Sequence, residues 1–155
     1  MIEIRRAQPT DYEMVQRLEG AVFKIHQQAR PDYFHTQSCY TKQEFEELLN
    51  LSTPISLMDV CDKKIVGICF GKIEKTEGNS FCKVRKIAVI EDLSILPEYR
   101  GQGIASNLIQ KAREQAIAEN AESLELCVWG FNTDALHLYE KLGMQVQYYR
   151  MEQRL

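Results

Sequence analysis

The stretch EYRGQGIASNL, which runs from Glu98 to Leu108, places two glycines between an arginine and an apolar run. After the second glycine, apolar residues recur at the spacing of one helix face: Ile104, Leu108, Ile109, Ala112 and Ala116. The first turn of a helix leaves backbone N–H groups without partners and carries a partial positive charge, and glycines let an anion approach closely. The stretch is therefore either a phosphate-binding loop or a tight strand-to-helix turn that binds nothing.

Another interpretation of the two glycines is the dinucleotide-binding pattern G-x-G-x-x-G. Gly101 and Gly103 supply the first two positions, but Ser106 occupies the third. An acid about 20 residues later is present as Glu122 or Glu125, yet only one strand-helix-strand unit surrounds the loop. The match to a dinucleotide site is therefore weak.

The first 50 residues carry one strand pattern and two helix patterns. IEIRRA alternates at the period of a strand, and TDYE (10–13) is a predicted capping box for a helix that ends about Lys24. TKQE (41–44) is a second predicted capping box, for a helix that ends near Leu49. Pro31 bends the chain between the helices, because it disfavours helix at the residue before it.

The rest of the chain alternates between strands and helices. The predicted elements are a hairpin of strands at 55–60 and 64–74, a strand at 81–96, a helix at 103–119, a strand at 123–129, a helix at 132–143 and a last strand at 144–153. The order βααβββαβαβ predicts an α/β (α+β) fold in which helices cover a sheet with a parallel part. We expect a ligand site at the carboxyl ends of its strands.

Composition narrows the class of protein. The 155 residues suffice for a single domain, 1–155, and their 45 % hydrophobic and 26 % charged residues are typical of globular proteins. A net charge of -3 predicts no general attraction to nucleic acid or to an anionic membrane. The start, MIEIRRAQPTDYE, does not resemble a signal peptide, and no window reaches the ~18 to 20 apolar residues of a membrane span, so we predict a cytoplasmic protein.

Five cysteines are spread along the chain without a C-x-x-C pair: Cys39, Cys61, Cys69, Cys82 and Cys127. This spacing predicts reduced thiols and no metal site. Cys69 and Cys127 lie in apolar strand-like runs and are expected in the core. No neighbour clearly lowers a thiol pKa, so a catalytic cysteine is not expected.

Two landmarks together resemble a family. LSILPEYRGQGIASNLI (93–109) is similar to the coenzyme A signature [R/Q]-x-x-G-x-[G/A] of the GNAT N-acetyltransferase superfamily, carried here by Arg100, Gly103 and Ala105. NTDALHLYEKLGM (132–144) is similar to the family's second landmark, an Asn followed seven residues later by a Tyr. The resemblance implies a mixed, mostly antiparallel sheet of about six strands with about four helices, and acetyl-coenzyme A (acetyl-CoA) as co-substrate without a metal.

The resemblance also implies which residues hold acetyl-CoA. The N–H groups of the loop would bind its pyrophosphate, and the strand before the loop would pair with its pantetheine arm. The cofactor-binding residues implied in this way are Leu93, Ser94, Ile95, Arg100, Gly101, Gln102, Gly103, Ile104, Ala105, Ser106, Asn132 and Tyr139.

The chemistry that the resemblance implies is direct attack of a primary amine on the thioester in a ternary complex. The Ile95 N–H would point at the thioester oxygen, and Tyr139 would protonate the leaving thiolate, since the ordinary pKa of a tyrosine is about 10. From the local sequence alone, Asn132 is equally a helix N-cap and Tyr139 equally a core residue.

A protonated amine must lose a proton before it attacks, and Glu91 and Asp92 are the predicted bases. On a regular strand Glu91 shares a face with Ile95, whereas Asp92 faces the other way. Glu91 also falls where family members that act on aminoglycosides and amino sugars carry an acid, so we place Glu91 first and Asp92 second. The alternative is a solvated ion pair of Glu91 with Lys86 or Arg85.

The bend FKIHQQARPDYF (23–34) falls where the family's variable helices cover the acceptor. The predicted substrate-binding residues are His26, Asp32, Tyr33 and Trp129. Acids around such a pocket favour a cationic amine, which leaves a polyamine, an aminoglycoside, an amino sugar and a protein amine open. A GNAT-fold module that binds coenzyme A without catalysis is the alternative function, and the apolar stretch VQYYRMEQRL (146–155) makes a homodimer possible.

Overall fold

A computed structural model describes residues 2–35 and 40–155. The strands are β1 (Ile2–Arg6), β2 (Pro54–Cys61), β3 (Lys64–Lys75), β4 (Lys86–Ile95) and β5 (Ser123–Leu126). The helices are α1 (Tyr12–Val22), α2 (Lys24–Ala29), α3 (Lys42–Leu49), α4 (Ile104–Ala118) and α5 (Thr133–Lys141), with 3₁₀ turns at Pro9–Asp11 and Pro97–Tyr99.

The five strands form one sheet in the order β1-β2-β3-β4-β5. The first four are antiparallel neighbours, and β5 is parallel to β4. The predicted class, a mixed and mostly antiparallel sheet with helices, is confirmed. A tight turn joins β2 to β3, and its central residues Asp62 and Lys63 both have positive φ, as a type I′ hairpin requires.

Helices cover both faces of the sheet. On one face α4 buries its apolar stripe against residues of β2 to β4, among them Ile55, Val66 and Ile90. On the other face α1 and α3 pack Leu18 and Phe45 against the sheet. Each fully buried side chain of this size stabilises the fold by roughly 1.5 to 3 kcal/mol, which fixes the helices on the sheet. No helix among the described residues has the length and apolarity of a membrane span.

The predicted last strand at 144–153 is wrong for the single chain. Residues 144–155 belong to no strand, so the sheet has five strands rather than six. The Met144 N–H donates to the carbonyl of Tyr139, but no later backbone group bonds to backbone anywhere in the described ranges. The sequence pattern of residues 144–153 is typical of a strand, but a strand forms only where a neighbouring strand pairs with it.

Several predicted boundaries also shift. The strand expected at 81–96 begins at Lys86, because the side chain of Asn79 accepts hydrogen bonds from the N–H groups of Phe81 and Cys82 and holds a turn there. The strand expected at 123–129 ends at Leu126. Cys69 is buried, as expected, but the expectation that Cys127 lies in the core is wrong: β5 ends one residue before it and its side chain is exposed. The four described cysteines are free thiols, and Cys39 lies outside the described residues.

One of the two predicted capping boxes forms. The Thr41 hydroxyl accepts from the Glu44 N–H at 3.2 Å, and the Glu44 carboxylate accepts from the Thr41 N–H at 2.6 Å. The capping box predicted at Thr10 is wrong. The turn before α1 is instead held by Asp11, whose carboxylate accepts from the Gln8 N–H at 2.8 Å.

A bulge in β4 fixes which way the following side chains point. Gly71 pairs with Ile90 and Phe70 pairs with Asp92, so Glu91 has no partner in β3. A Cβ atom on Gly71 would lie 2.0 Å from the carbonyl oxygen of Val89. Only glycine therefore lets the two strands approach this closely beside the bulge.

Gly71→Ala should lower the free energy of unfolding by about 1 to 3 kcal/mol, because the added Cβ forces β3 and β4 apart. Gly20→Ala is the matched control: this α1 glycine has open space where a Cβ would lie, and alanine should raise stability by roughly 0.5 to 1 kcal/mol. Urea unfolding measures both changes. Wild-type stability in Gly71→Ala would contradict the assigned role of the glycine.

Candidate active site

β4 and β5 diverge halfway along β4. β5 pairs with β4 only from Ile87 to Ile90, whereas β3 pairs with β4 as far as Ile95. Within residues 2–35 and 40–155, the 91–95 part of β4 therefore has a strand on one side only. The divergence makes a V-shaped opening at the carboxyl end of β4.

The N–H groups of Leu93 and Ile95 point into this opening. The Leu96 N–H donates to the carbonyl of Val66 at 2.9 Å, which makes Leu96 and Val66 a hydrogen-bonded pair. Bonded and non-bonded pairs alternate along antiparallel strands, so the N–H groups of Leu93 and Ile95 turn away from β3. The Ile95 carbonyl points the same way and accepts from the Arg100 Nε at 3.4 Å. This edge of β4 can pair with an extended ligand.

The loop after β4 presents six consecutive N–H groups. Gly103 is the N-cap of α4, and its carbonyl accepts the first helical bond, from Asn107, at 3.0 Å. The N–H groups of residues 101–106 have no hydrogen-bond partner in the described part of the chain. Gly101 and Gly103 have φ of +74° and +81°, and open space lies where their Cβ atoms would be. The loop therefore has the geometry of an anion-binding cradle.

Two acids lie on the α1 side of β4, next to the opening: Glu19 is buried and Asp92 is half-buried. The Ser94 hydroxyl lies 3.4 Å from Oδ1 of Asp92, and the phenol of Tyr40 lies near the same carboxylate. Glu19, from α1, is only 6 % exposed, and its Oε1 has no hydrogen-bond partner among the described residues. Burial raises the pKa of Asp92 to about 6, and burial together with the charge of Asp92 raises the pKa of Glu19 to about 8. The two carboxyls thus form an acid pair that titrates near neutral pH.

Glu91, the first predicted base, lies outside this pair. Its side chain is exposed, and its carboxylate lies 3.3 Å from the Nζ of Lys72. The expectation that Glu91 shares a face with Ile95 is wrong, because the bulge shifts the alternation and leaves Glu91 on the side of Lys72. The predicted cross-sheet ion pair exists, but with Lys72 rather than with Lys86 or Arg85.

Tyr139 of α5 lies on the opposite side of the sheet from the acid pair, against the core cluster under α4. Burial, with smaller effects of Cys69 and Asp92, raises the pKa of Tyr139 to about 12. Burial also raises the pKa of Cys69 to about 12. Both groups therefore keep their protons at neutral pH, so Tyr139 can act as a proton donor.

Asn132 is the N-cap of α5. Its Oδ1 accepts from the Ala135 N–H at 3.3 Å, and its ψ of 69° places it just outside the helix. This cap fixes the start of the helix that carries Tyr139. The structural interpretation of Asn132 is thus confirmed, and its predicted contact with the cofactor stays a prediction.

An aromatic cluster joins the α2 bend to the segment between β5 and α5. The Trp129 ring lies 5.0 Å from Tyr33, 5.4 Å from Phe34 and 5.7 Å from Phe131, measured between ring centroids. The His26 ring lies 5.4 Å from Phe34 and 5.6 Å from Phe131, and burial lowers the pKa of His26. The structure therefore brings His26, Tyr33 and Trp129 into one cluster, and their contact with the acceptor stays a prediction.

Asp32, the fourth predicted acceptor residue, already has cationic partners. Its carboxylate lies 2.8 Å from Arg30 and 3.1 Å from Arg154. Arg30 also lies over the Tyr33 and Trp129 rings, at 5.5 and 5.4 Å from their centroids. Asp32 thus holds Arg30 at the edge of the aromatic cluster. Its negative charge is compensated by the two arginines rather than left for a substrate amine.

A sequence model of the acetyltransferase (GNAT) family matches residues 21–144. The chain belongs to the GNAT family. This GNAT chain shares its fold with a point mutant of the BH1408 protein from Bacillus halodurans, with a TM-score of 0.93, 28 % identity and 99 % of both chains covered.

Two further GNAT proteins carry substrates in their names. The structure of the aminoglycoside N-acetyltransferase AAC(6')-Iy in complex with CoA superposes with a TM-score of 0.74 at 18 % identity, over 100 % of this chain and 95 % of that one. The thialysine N-epsilon-acetyltransferase of Bos taurus is 45 % identical over 56 residues. That match covers 36 % of this chain and 33 % of the bovine protein, so this chain spans about a third of that relative's length.

Glu19 and Tyr40 are site residues of this GNAT chain that sequence reasoning missed. Glu19 follows Leu18 and lies four positions after Val15, so it is on the buried stripe of α1. A charged residue on a core-facing stripe is rare without a function or a partner, and that signal was available in the sequence. No such signal marks Tyr40, whose neighbours show no periodic pattern.

The stability of the GNAT domain should fall as pH rises from 5 to 9. Because the pKa of Glu19 is raised from 4.5 to about 8, the folded protein binds more protons than the unfolded chain in this range, and stability decreases as they are lost. The free energy of unfolding of Glu19→Gln, relative to that of wild type, should therefore rise by on the order of 2 to 4 kcal/mol between pH 5 and pH 9.

Glu13→Gln is the control for this comparison, since Glu13 is an exposed acid on the same helix and should not alter the pH dependence. Urea unfolding at both pH values measures the free energies. Parallel pH profiles for wild type and Glu19→Gln would contradict the raised pKa.

Proposed function

We propose that this GNAT chain is an N-acetyltransferase that moves the acetyl group of acetyl-CoA to a primary amine by direct attack. One observation carries the proposal: the loop, whose six N–H groups have no partner among the described residues, opens beside the single-sided stretch of β4. The loop suits a pyrophosphate and the strand edge suits an extended amide-containing arm, and acetyl-CoA carries both.

The residues around the loop fit that co-substrate. The glycines leave space for phosphate oxygens near the backbone, and Arg100 is the only charged side chain between positions 100 and 106. Leu93 and Ile95 offer N–H groups to the arm, while Ser94 points to the other side of β4, toward Asp92. Acetyl-CoA supplies a thioester, whose carbonyl carbon is open to attack by an amine.

Asp92 is the proposed proton acceptor, in place of Glu91. A base near neutral pH needs a pKa close to 7, and the pKa of Asp92 is raised to about 6 at the edge of the opening. Glu91 is exposed, and its carboxylate is already paired with Lys72. Asp92 is therefore preferred to Glu91 as the proton acceptor.

The other two proposed roles fall to Ile95 and Tyr139. As the amine nitrogen bonds to the carbonyl carbon, the carbon–sulfur bond breaks and its electron pair stays on sulfur. The Ile95 N–H donates to the carbonyl oxygen, and one such donor typically lowers a barrier by ~2.7 to 4 kcal/mol. Asp92 takes one proton from the ammonium before the attack. The Tyr139 hydroxyl gives its proton to the sulfur, and the second proton that the nitrogen loses returns through solvent to the Tyr139 oxygen.

The environment of Cys69 supports direct attack over an acetylated cysteine. Cys69 is fully buried, and its pKa of about 12 keeps the thiol neutral and therefore a poor nucleophile. The other described cysteines, at positions 61, 82 and 127, lie on other elements outside the acid pair. The described cysteines thus favour direct attack over a covalent enzyme intermediate.

The acceptor that fits best is a cationic primary amine. The carboxyls of Glu19 and Asp92 attract a cation. The named relatives point the same way, because thialysine and aminoglycosides both carry primary amines. A small polyamine, an amino sugar or a protein amine has the same reactive group.

Release of free thiol from acetyl-CoA with a panel of primary amines tests the function. Asp92→Asn should lower kcat/KM by ~10²- to 10⁴-fold and Tyr139→Phe should lower kcat by ~10²-fold, with CoA affinity unchanged in both. Glu91→Gln is the matched control and should keep activity within ~3-fold, because Glu91 is exposed and its ion pair with the half-buried Lys72 is screened by solvent.

A full loss in Glu91→Gln together with an active Asp92→Asn would reverse the assignment of the base. CoA binding without thiol release for any amine would instead favour a non-catalytic CoA-binding module.

A further inference from the structure

We propose that Glu152 and Arg154, near the end of the chain, position the aromatic cluster through Arg30. The four side chains involved form a closed ring of alternating charge, the charge ring: Arg30, Asp32, Arg154 and Glu152. Positioning of the cluster can be tested without turnover. Its effect on the acceptor rests on the proposed function and adds two positioning residues to it.

In the charge ring each cation lies beside both acids, and each acid lies beside both cations. Within the bend, Arg30 donates to the Asp32 carboxylate at 2.8 Å from Nη2 and at 3.0 Å from Nε. Oε2 of Glu152 lies 3.2 Å from Nη2 of Arg30, and Nη2 of Arg154 lies 3.1 Å from Oδ1 of Asp32. Nε of Arg154, at 3.7 Å from Oε1 of Glu152, closes the ring. Isolated exposed ion pairs contribute little, whereas charges in a network restrain one another.

Arg30 connects the charge ring to the aromatic cluster. Its side chain is only 18 % exposed, and its guanidinium lies 5.5 Å from the Tyr33 centroid and 5.4 Å from the Trp129 centroid. A planar guanidinium can stack on an aromatic face while its edge donates to carboxylates. The Arg30 carbonyl also accepts from the N–H groups of Tyr33 and Phe34, each at 3.0 Å. The position of Arg30 therefore determines where the rings of the bend lie.

The charge ring also fastens the end of the C-terminal segment, residues 144–155. Among the described residues, no backbone group after Met144 bonds to other backbone. The preceding side chains Tyr148, Tyr149 and Met151 are 72, 82 and 91 % exposed, so apolar packing does not hold this stretch. An end that is held by ion pairs should respond to salt, because the screening length falls from about 10 Å at 0.1 M to about 3 Å at 1 M ionic strength.

Replacing both members from the chain end separates position from charge. Glu152 and Arg154 carry opposite charges, so Glu152→Gln/Arg154→Gln opens the charge ring and leaves the net charge at -3. Glu152→Gln alone would add a positive charge and repel a cationic amine. The matched control is Lys111→Gln/Glu114→Gln, which removes an exposed ion pair of 2.8 Å on α4 and also keeps the net charge.

Trp129 is the only tryptophan of the chain, so its fluorescence reports on the aromatic cluster alone. Quenching by acrylamide, which is neutral, measures how accessible its ring is. In wild type and in the control, the quenching constant should rise ~2-fold between ~20 mM and ~1 M NaCl, because salt opens the charge ring. In Glu152→Gln/Arg154→Gln it should be raised ~2-fold already at ~20 mM and change little with salt.

The acceptor provides the second readout. With an amine that wild type acetylates, Glu152→Gln/Arg154→Gln should raise the KM for the amine ~5-fold, while kcat and CoA affinity stay within ~2-fold. This split is expected because a displaced aromatic cluster weakens binding of the amine and leaves the reacting groups in place. An unchanged KM in spite of a more accessible Trp129 would overturn the link to the acceptor.

Quenching of wild type that does not depend on salt would overturn the positioning role. So would wild-type quenching in Glu152→Gln/Arg154→Gln at ~20 mM NaCl. Failure of the proposed function looks different: no amine would be acetylated, whereas the salt dependence of Trp129 quenching would persist. Thermal unfolding establishes that the double variant is folded, and the salt titration of wild type tests the charge ring without any variant.

Discussion

The divergence of β5 from β4 after Ile90 is the constraint on which the site depends. Had β5 continued beside β4, the N–H groups of Leu93 and Ile95 would be bonded within the sheet and unavailable to a ligand. The divergence leaves them on an open edge, and the loop that follows the strand places its own N–H groups at the end of that edge. A single backbone feature thus aligns a surface for an extended arm with a cradle for its phosphates.

The bulge at Glu91 determines on which face of the sheet the following side chains of β4 lie. It turns Asp92 and Ser94 to the α1 side of the sheet, while Leu93 and Ile95 face α4. The proposed base and the proposed acid therefore lie on opposite sides of one strand, which is what direct transfer needs: the amine arrives from one side and the sulfur leaves toward the other. Gly71 is the residue that makes the bulge sterically possible.

The loop, α4 and the fold class were predictable from sequence because each has a local signature. Glycines before an amphipathic helix and the spacing to the Asn132–Tyr139 helix are properties of short segments. Which of Glu91 and Asp92 faces the opening was not predictable, since the answer depends on a bulge created by a glycine twenty residues earlier. The strand predicted at 144–153 has the correct pattern for pairing, but pairing depends on a partner that periodicity does not reveal.

Mapping of CoA binding by backbone amide chemical shifts tests the central claim most directly, because it reports on the N–H groups themselves. Addition of CoA to the ¹⁵N-labelled protein should shift the amide signals of Leu93, Ile95 and residues 101–106 more than any others. Saturable binding that leaves those signals unmoved, with the largest shifts elsewhere on the chain, would contradict the assignment of the β4 edge and the glycine loop as the acetyl-CoA site.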